Sequence, residues 1–159
     1  MTHLEIEYKT LLTKDEFNRL EAQFKHVQPI TQTNYYFDTK DFAMKANRMS
    51  LRIRTLADRA ELTLKIPEAV GNLEHNLDLT IADKIWTPAS KSYHGLNQGE
   101  GVNPEELGVF GHLTTTRRET MTPIGLMALD SNQYANIKDY ELELEVEDAE
   151  KGKNDFDDF

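Results

Sequence analysis

The chain has 159 residues, 38% of them hydrophobic, which is enough for one domain with a buried core. No apolar stretch approaches the roughly 20 residues that span a bilayer, and no basic segment followed by an apolar one opens the chain, so we expect no membrane association and a cytoplasmic location. The net charge of −10 argues against binding of a nucleic-acid duplex, and the lack of cysteine excludes disulfides and thiolate chemistry.

The negative charge is concentrated towards the C-terminal end of the sequence. Residues 139–159 contain ten acidic side chains and two lysines, a charge of −8 (2 − 10), which leaves −2 for residues 1–138. Most of the chain is therefore nearly balanced in charge, and it can carry local clusters of basic residues.

The first two predicted elements are a strand and a helix. Apolar and charged residues alternate in LEIEYK, which predicts a strand over about 3–12. A helix is then predicted from Thr13, as its N-cap, to about residue 25, because Phe17, Leu20 and Phe24 form one apolar stripe.

Seven further strands follow this helix in the sequence, several of them separated by turn residues. They are TQTNYYFD (31–38), MSLRIRTL (49–56), AELTLKIP (60–67), LEHNLDLTI (73–81), LTTTRRETM (113–121), IGLMALDS (124–131) and KDYELELEVE (138–147). Between the fifth and sixth strands, residues 82–110 are predicted as helical pieces and loop.

Alternation gathers charged side chains on one face of these strands, which for a single strand is typical of the solvated face of an antiparallel sheet. Here one sign repeats, because Glu141, Glu143 and Glu145 occupy next-but-one positions about 6–7 Å apart. Like charges at this spacing repel one another unless a cation lies opposite. Cations occur at the same kind of position on other strands, namely at Arg52, Arg54, Lys65 and Arg117.

Eight such strands can close into a barrel with charged faces inside and apolar faces covered by helices. The expected fold is therefore α+β, with an eight-stranded antiparallel β-barrel-like tunnel that has a charged interior and helices packed outside. Carboxylates in the tunnel could hold Mg²⁺ or Mn²⁺, and arginine and lysine could hold phosphate oxygens. The expected guest is a metal-bound polyphosphate.

The order of these motifs resembles that of the CYTH, or triphosphate tunnel metalloenzyme, superfamily. The resemblance lies in EIEYK, followed in order by NYYFDT, LRIR, LTLK, TTRRE, ALDSNQY and DYELELE, and it covers about residues 3–147. The superfamily includes tripolyphosphatases, thiamine triphosphatases, RNA triphosphatases and one class of adenylyl cyclases. Within it, the chain resembles the small stand-alone bacterial proteins of the adenylate cyclase branch.

The resemblance implies a role for each matching residue. The catalytic residues that it implies are Glu5, Glu7, Lys9 and Glu143, and the phosphate ligands are Lys9, Arg52, Arg54, Lys65 and Arg117. The implied metal ligands are Glu5, Glu7, Glu141, Glu143 and Glu145, where two of the last three act and the register leaves open which two. Glu74 resembles an acidic position in the fifth strand of the family.

The function that the resemblance implies is hydrolysis of a small triphosphate, with release of the terminal phosphate and Mg²⁺ or Mn²⁺ as cofactor. Inorganic tripolyphosphate, thiamine triphosphate and a nucleoside triphosphate stay open as substrates, because basic residues recognise phosphate rather than the group attached to it. Two alternatives also stay open: an adenylyl cyclase that makes cyclic AMP from ATP, and a non-catalytic module that binds polyphosphate or nucleotides. The oligomeric state is open as well.

The domain organisation is expected to be simple, with one CYTH domain over residues 1–159. Related proteins continue beyond the last strand through a C-terminal helix and further basic residues, whereas this sequence ends at NDFDDF. Whether the domain is truncated at its C-terminus therefore stays open.

Overall fold

The structure, a computed structural model, describes residues 2–79 and 107–159. The described elements, in chain order, are β1 Thr2–Leu12, α1 Lys14–Gln23, β2 Ile30–Asp38, α2 Ala43–Ala46, β3 Ser50–Thr55, β4 Ala60–Pro67, β5 Asn72–Leu79, β6 Gly108–Thr122, β7 Gly125–Tyr134, β8 Ile137–Val146 and α3 Ala149–Asp158. The strands form a closed barrel in the order β1, β5, β4, β3, β2, β6, β7, β8. Pairing is antiparallel between β1 and β8, along β2–β3–β4–β5 and along β6–β7–β8. The predicted eight-stranded antiparallel barrel is confirmed.

The chain divides into two compact units. Among the described residues, unit 1 consists of residues 2–4, 33–79 and 107–113, and unit 2 consists of residues 5–32 and 114–159. Each unit has a hydrophobic core of its own on one face of its strands.

The core of unit 1 lies on one face of β2, β3 and β4 beside α2. Its buried residues are Phe37, Met44, Met49, Leu51, Ile53, Ala60, Leu62, Leu64 and Leu107. The helix α2 begins where the chain leaves β2, because the Asp38 carboxylate accepts the backbone N–H groups of Thr39, Met44 and Lys45. These bonds satisfy donors that the first turn of a helix leaves without a partner.

The core of unit 2 lies between β7, β8 and the helices α1 and α3. Its buried residues are Phe17, Phe24, Met127, Leu129, Leu142 and Leu144. The predicted start of α1 is confirmed, because the Thr13 hydroxyl accepts the N–H of Glu16 at 3.1 Å and the Glu16 carboxylate accepts the N–H of Thr13 at 2.9 Å. No helix of the described residues is long and apolar enough to cross a membrane.

Several local details differ from the sequence prediction. Residues 108–110 belong to β6 rather than to the predicted helical insert, whose residues 82–106 lie outside the described part of the chain. The strand β7 extends to Tyr134, because Asn132 and Tyr134 donate hydrogen bonds to Asp139 across the hairpin. The helices α2 and α3 were not predicted.

The helix α3 is held by a cap and by close packing rather than by a long apolar stripe. The Asp148 carboxylate accepts the N–H of Lys151 at 2.8 Å, and Gly152 lies against the side chain of Val146. On the same helix, Phe156 stacks on Tyr8 of β1, with ring centroids 6.1 Å apart.

Two glycines of unit 2 are expected to tolerate no side chain. Gly125 has a φ of +141°, and a Cβ there would collide with the backbone oxygen of Glu145, whereas a Cβ at Gly152 would collide with Val146. We expect Gly125→Ala and Gly152→Ala each to lower the free energy of unfolding by about 1–3 kcal/mol, measured by urea denaturation. The control is Gly111→Ala, where the space within 4 Å of the new Cβ is empty. If all three variants are equally stable, the close packing of Gly125 against Glu145 and of Gly152 against Val146 is wrong.

Candidate functional site

Each unit has a charged face, which is the face of its strands opposite the hydrophobic core. The charged face of unit 1 carries Asn34, Tyr36, Arg52, Arg54, Glu61, Thr63, Lys65, Glu74, Asn76 and Asp78. The charged face of unit 2 carries Glu5, Glu7, Lys9, Thr115, Arg117, Glu119, Asp130, Asn132, Glu141, Glu143 and Glu145. In each unit, the helices lie on the opposite, apolar face of the strands.

Arg52 lies in the middle of the charged face of unit 1, directly opposite Tyr36 on one side and Thr63 on the other. Its Nε atom is buried and has no hydrogen-bond partner among residues 2–79 and 107–159. A buried donor without a partner costs free energy, and a guanidinium group binds phosphate or carboxylate oxygens strongly. Arg52 is therefore suited to an anionic ligand.

The two other cations of this face are oriented by polar neighbours. The Nε of Arg54 donates to the Asn34 side-chain oxygen at 2.8 Å. The Lys65 ammonium lies 3.6 Å from the Glu74 carboxylate, which also accepts a hydrogen bond from Asn76 at 3.1 Å. The structure thus brings the predicted phosphate ligands of unit 1 onto neighbouring strands and supplies groups that hold them in place.

Arg117, on the charged face of unit 2, is bonded to carboxylates. Its Nε and Nη2 donate to the two oxygens of Asp130, each at 2.7 Å, and Nη2 also donates to Glu143 at 3.0 Å. Burial opposes the charge of Arg117, but the hydrogen bonds and charge of Asp130, with Glu143 and Glu119, raise its pKa above the usual range. Arg117 is therefore held in an ion pair with Asp130, whereas the Nε of Arg52 has no hydrogen-bond partner among the described residues.

Glu143 is contacted by a second cation. Lys9 lies directly opposite Glu143 in the β1–β8 ladder, and its Nζ is 3.7 Å from the Glu143 carboxylate and 3.5 Å from that of Glu7. Burial acts to lower the pKa of Lys9, but the charges of Glu143, Glu7 and Glu141 outweigh it and raise the pKa. The repeated glutamates of β8 thus face the cations that their mutual repulsion requires.

Glu141 has a different environment from Glu143. Its carboxylate accepts a hydrogen bond from the Asn132 side chain at 2.7 Å. Burial raises the pKa of Glu141; Lys9 opposes the rise, and Glu143 adds to it. Ionisation of Glu141 is therefore less favourable than that of an ordinary glutamate.

The remaining glutamates of the predicted metal set are Glu5, Glu7 and Glu145. Glu7 lies directly opposite Glu145 in the β1–β8 ladder, and Glu5 is buried. Within the described ranges, no group of three or more acidic or histidine side chains could hold a metal ion unaided. Mg²⁺ at phosphate-transfer sites usually takes one or two carboxylates and completes its shell with water and phosphate. Metal binding by Glu5, Glu7 and Glu145 therefore stays a prediction, which requires phosphate and water to complete the coordination shell.

Three polar residues of the charged faces were not predicted from the sequence, namely Asn34, Asp130 and Asn132. Asn34 holds Arg54, Asp130 holds Arg117, and Asn132 holds Glu141. The sequence does contain a pattern that indicates Asp130 and Asn132. They alternate with Leu129 along β7, as the glutamates of β8 alternate with leucines.

Comparison with known proteins places these features in a family. A family model described as "CYTH domain" matches residues 3–159. The "Putative triphosphatase YjbK" of Bacillus subtilis (strain 168) is 35% identical over 161 residues, which is 96% of this chain and 83% of that protein. The crystal structure of a "putative adenylate cyclase" from Bacillus halodurans aligns with a TM-score of 0.84 and 33% identity, over 99% of this chain and 88% of that one.

A protein from Hippeastrum shares the fold at lower identity. The "Putative adenylyl cyclase HpAC1" from Hippeastrum, described as having a dominant triphosphatase activity, aligns with a TM-score of 0.75 and 22% identity. The alignment covers 98% of this chain and 86% of that one. At this identity the likeness concerns the fold alone.

Proposed function

The chain belongs to the CYTH domain family, and from this premise we propose that it hydrolyses a small triphosphate and releases the terminal phosphate. The observation that carries the proposal is Arg52, whose buried Nε has no hydrogen-bond partner among the described residues and which shares its face with Arg54 and Lys65. The name of the 35% identical B. subtilis relative, a triphosphatase, supports the same activity.

We assign the binding of phosphate oxygens to Arg52, Arg54 and Lys65 on unit 1. Asn34 and Glu74 act through Arg54 and Lys65 and are positioning residues. Phosphoryl transfer depends mainly on positioning the phosphates and neutralising the charge that spreads over their oxygens. An oriented set of cations on a strand face supplies both effects.

On unit 2, we assign the metal to Glu5, Glu7 and Glu145 and a phosphate contact to Lys9. Glu143 contacts both Lys9 and Arg117 and holds these cations in place. A bound divalent cation would neutralise phosphate oxygens and favour attack by water. Arg117, which the sequence predicted as a phosphate ligand, would contribute mainly by fixing the carboxylates around it.

The direct test is a panel of tripolyphosphate, thiamine triphosphate and ATP, each with Mg²⁺ or Mn²⁺, in which orthophosphate and cyclic AMP are measured in parallel. We expect release of orthophosphate. Cyclic AMP with pyrophosphate would instead identify a cyclase, the function named for the 33% identical B. halodurans protein. If the folded protein turns over none of the three substrates, the proposal is wrong and a binding module remains.

Arg52→Met provides a test at the level of one residue. A charge-assisted hydrogen bond contributes about 1.5–3 kcal/mol, so we expect the Kd for tripolyphosphate to rise about 10- to 150-fold, measured by calorimetry at fixed salt. The free energy of unfolding should not fall, because the substitution removes a buried N–H that has no partner in the described chain. The control is Arg59→Met, since Arg59 is exposed in a turn. Equal affinity in Arg52→Met and the parent would refute the assignment.

A further inference from the structure

Gln32, at the start of β2 in unit 2, has a buried side chain that none of the roles assigned above uses. It is 5% exposed, and its Nε2 atom has no hydrogen-bond partner among residues 2–79 and 107–159. A side-chain amide carries two N–H donors on this atom. Burial of such donors without an acceptor costs free energy, so the missing acceptor calls for an explanation.

The side chain of Gln32 lies on the charged face of unit 2. The preceding residue, Thr31, contacts Thr116 of β6, with the two hydroxyl oxygens 3.5 Å apart, and both of these threonines are exposed. Successive residues of a strand point to opposite faces. Gln32 therefore points to the face opposite this pair, which on β6 is the face of Thr115 and Arg117.

The uncharged polar neighbours on this face already have hydrogen-bond partners. The Thr115 hydroxyl donates to the Asn132 side-chain oxygen at 2.6 Å. The amide of Asn132 in turn donates to Asp139 at 2.9 Å and to Glu141 at 2.7 Å. These bonds use both donors of the Asn132 amide. The amide of Gln32 differs from that of Asn132, because its donors are not used by any described residue.

The lack of charge on Gln32 keeps its amide available on a face that is rich in carboxylates. A cation of the same face, Arg117, is bonded to Asp130 and Glu143. The amide of Gln32 has no net charge, so the long-range attraction that forms such an ion pair does not act on it. A phosphate oxygen is ionised and accepts hydrogen bonds, and it is therefore a suitable acceptor for this amide.

We propose that Gln32 donates a hydrogen bond from Nε2 to a phosphate oxygen of the bound triphosphate. The proposal rests on the proposed function and adds an uncharged phosphate ligand to the cations already assigned. Salt screens interactions between charges and has little effect on a contact made by a neutral amide. The contribution of Gln32 to affinity is therefore independent of salt, unlike that of Arg52.

The test measures the Kd for tripolyphosphate by calorimetry in EDTA at several salt concentrations. Gln32→Met removes the donor but keeps a side chain of similar length, so the Kd should rise about 10- to 150-fold at every salt concentration. Arg52→Met should instead make the Kd less dependent on salt, because one cation is lost. The matched control is Gln28→Met, which makes the same substitution at an exposed position of unit 2 and should keep the parent Kd.

Two further measurements distinguish a ligand contact from an effect on the fold. The free energy of unfolding of Gln32→Met, measured by urea denaturation, should not fall, because the substitution removes donors that have no partner in the described chain. Gln32→Glu keeps the size of the side chain but replaces the donors with a carboxylate oxygen, so it should raise the Kd more than Gln32→Met does. Gln28→Glu, with the same change in net charge, should raise the Kd by no more than about twofold.

The possible results separate this inference from the proposed function. If Gln32→Met binds tripolyphosphate as tightly as the parent while Arg52→Met does not, Gln32 makes no ligand contact and water satisfies its amide. Loss of stability together with affinity in Gln32→Met would identify a structural role and overturn the inference. If Gln32→Met loses affinity alone but no triphosphate is hydrolysed, the phosphate contact stands and the hydrolase proposal fails. A parent protein that does not bind tripolyphosphate would overturn both.

Discussion

Replacing Arg117 with methionine is expected to lower the free energy of unfolding by about 3–5 kcal/mol, because removing one partner of a buried ion pair leaves the other charge uncompensated. The partner is Asp130, which is 2% exposed and would lose two hydrogen bonds of 2.7 Å. Glu143 would lose a further bond of 3.0 Å. Urea denaturation at pH 7 measures the loss, with the parent protein as reference.

A second substitution shows whether the uncompensated charge is the cause. Asp130→Asn keeps the size of the side chain but removes its charge, so the double variant Arg117→Met/Asp130→Asn should be more stable than Arg117→Met alone. Arg52→Met is the matched control in unit 1, where the same change is expected to leave stability intact. If Arg117→Met is as stable as the parent, the ion pair with Asp130 contributes nothing to the fold of unit 2.

Arg52 and Arg117 show which features of the candidate site can be predicted from the sequence. Arg52 lies between two apolar residues of β3, and Arg117 shares a polar row of β6 with Thr115 and Glu119. Alternation therefore assigns both arginines correctly to a charged face. Their partners differ, because Arg117 faces Asp130 across the β6–β7 ladder, whereas Arg52 faces Tyr36 and Thr63. A partner on another strand depends on register, which alternation within one strand does not contain.

Strand register also explains why the roles of the β8 glutamates could not be assigned from the sequence. Alternation places Glu141, Glu143 and Glu145 on one face, and only the β1–β8 ladder shows that Glu143 meets Lys9 and Glu145 meets Glu7. A shift of two residues would preserve the pattern and exchange these partners. The β1–β8 register therefore distinguishes Glu143, which we assign to positioning Lys9, from Glu145, which we assign to the metal.

The fold could be predicted where local patterns determine it. Eight strands with a period of two and Thr13 as the N-cap of α1 are local signals, and they were identified correctly. The helix α2 depends instead on the Asp38 carboxylate reaching Met44 and Lys45, six and seven residues later. The helix α3 was not predicted from the sequence, because it has many acidic residues and a glycine in its middle. This glycine packs against Val146.

The double substitution Glu5→Gln/Glu7→Gln is expected to remove metal-dependent turnover while the protein remains folded. Glutamine keeps the size of each side chain but lacks the negative charge that holds Mg²⁺. Since a bound metal contributes several kcal/mol to stabilising a phosphoryl-transfer transition state, we expect at least about a 100-fold loss of Mg²⁺-dependent phosphate release. Metal-free binding of tripolyphosphate should be preserved or strengthened, because two fewer carboxylates repel the anion.

The comparison of activity with binding decides whether these glutamates hold the metal. Calorimetry with tripolyphosphate in EDTA reports anion binding, and urea denaturation confirms that the variant is folded. The control is Glu68→Gln/Glu147→Gln, which changes the net charge equally at two exposed positions and should leave turnover at the parent level. On an ordinary solvated face, Glu5→Gln/Glu7→Gln would behave like this control, because surface substitutions usually change stability by no more than about 0.5 kcal/mol. Parental Mg²⁺-dependent activity in Glu5→Gln/Glu7→Gln would therefore show that β1 only contributes a polar strand face, whereas lost activity with retained anion binding would assign the metal to it.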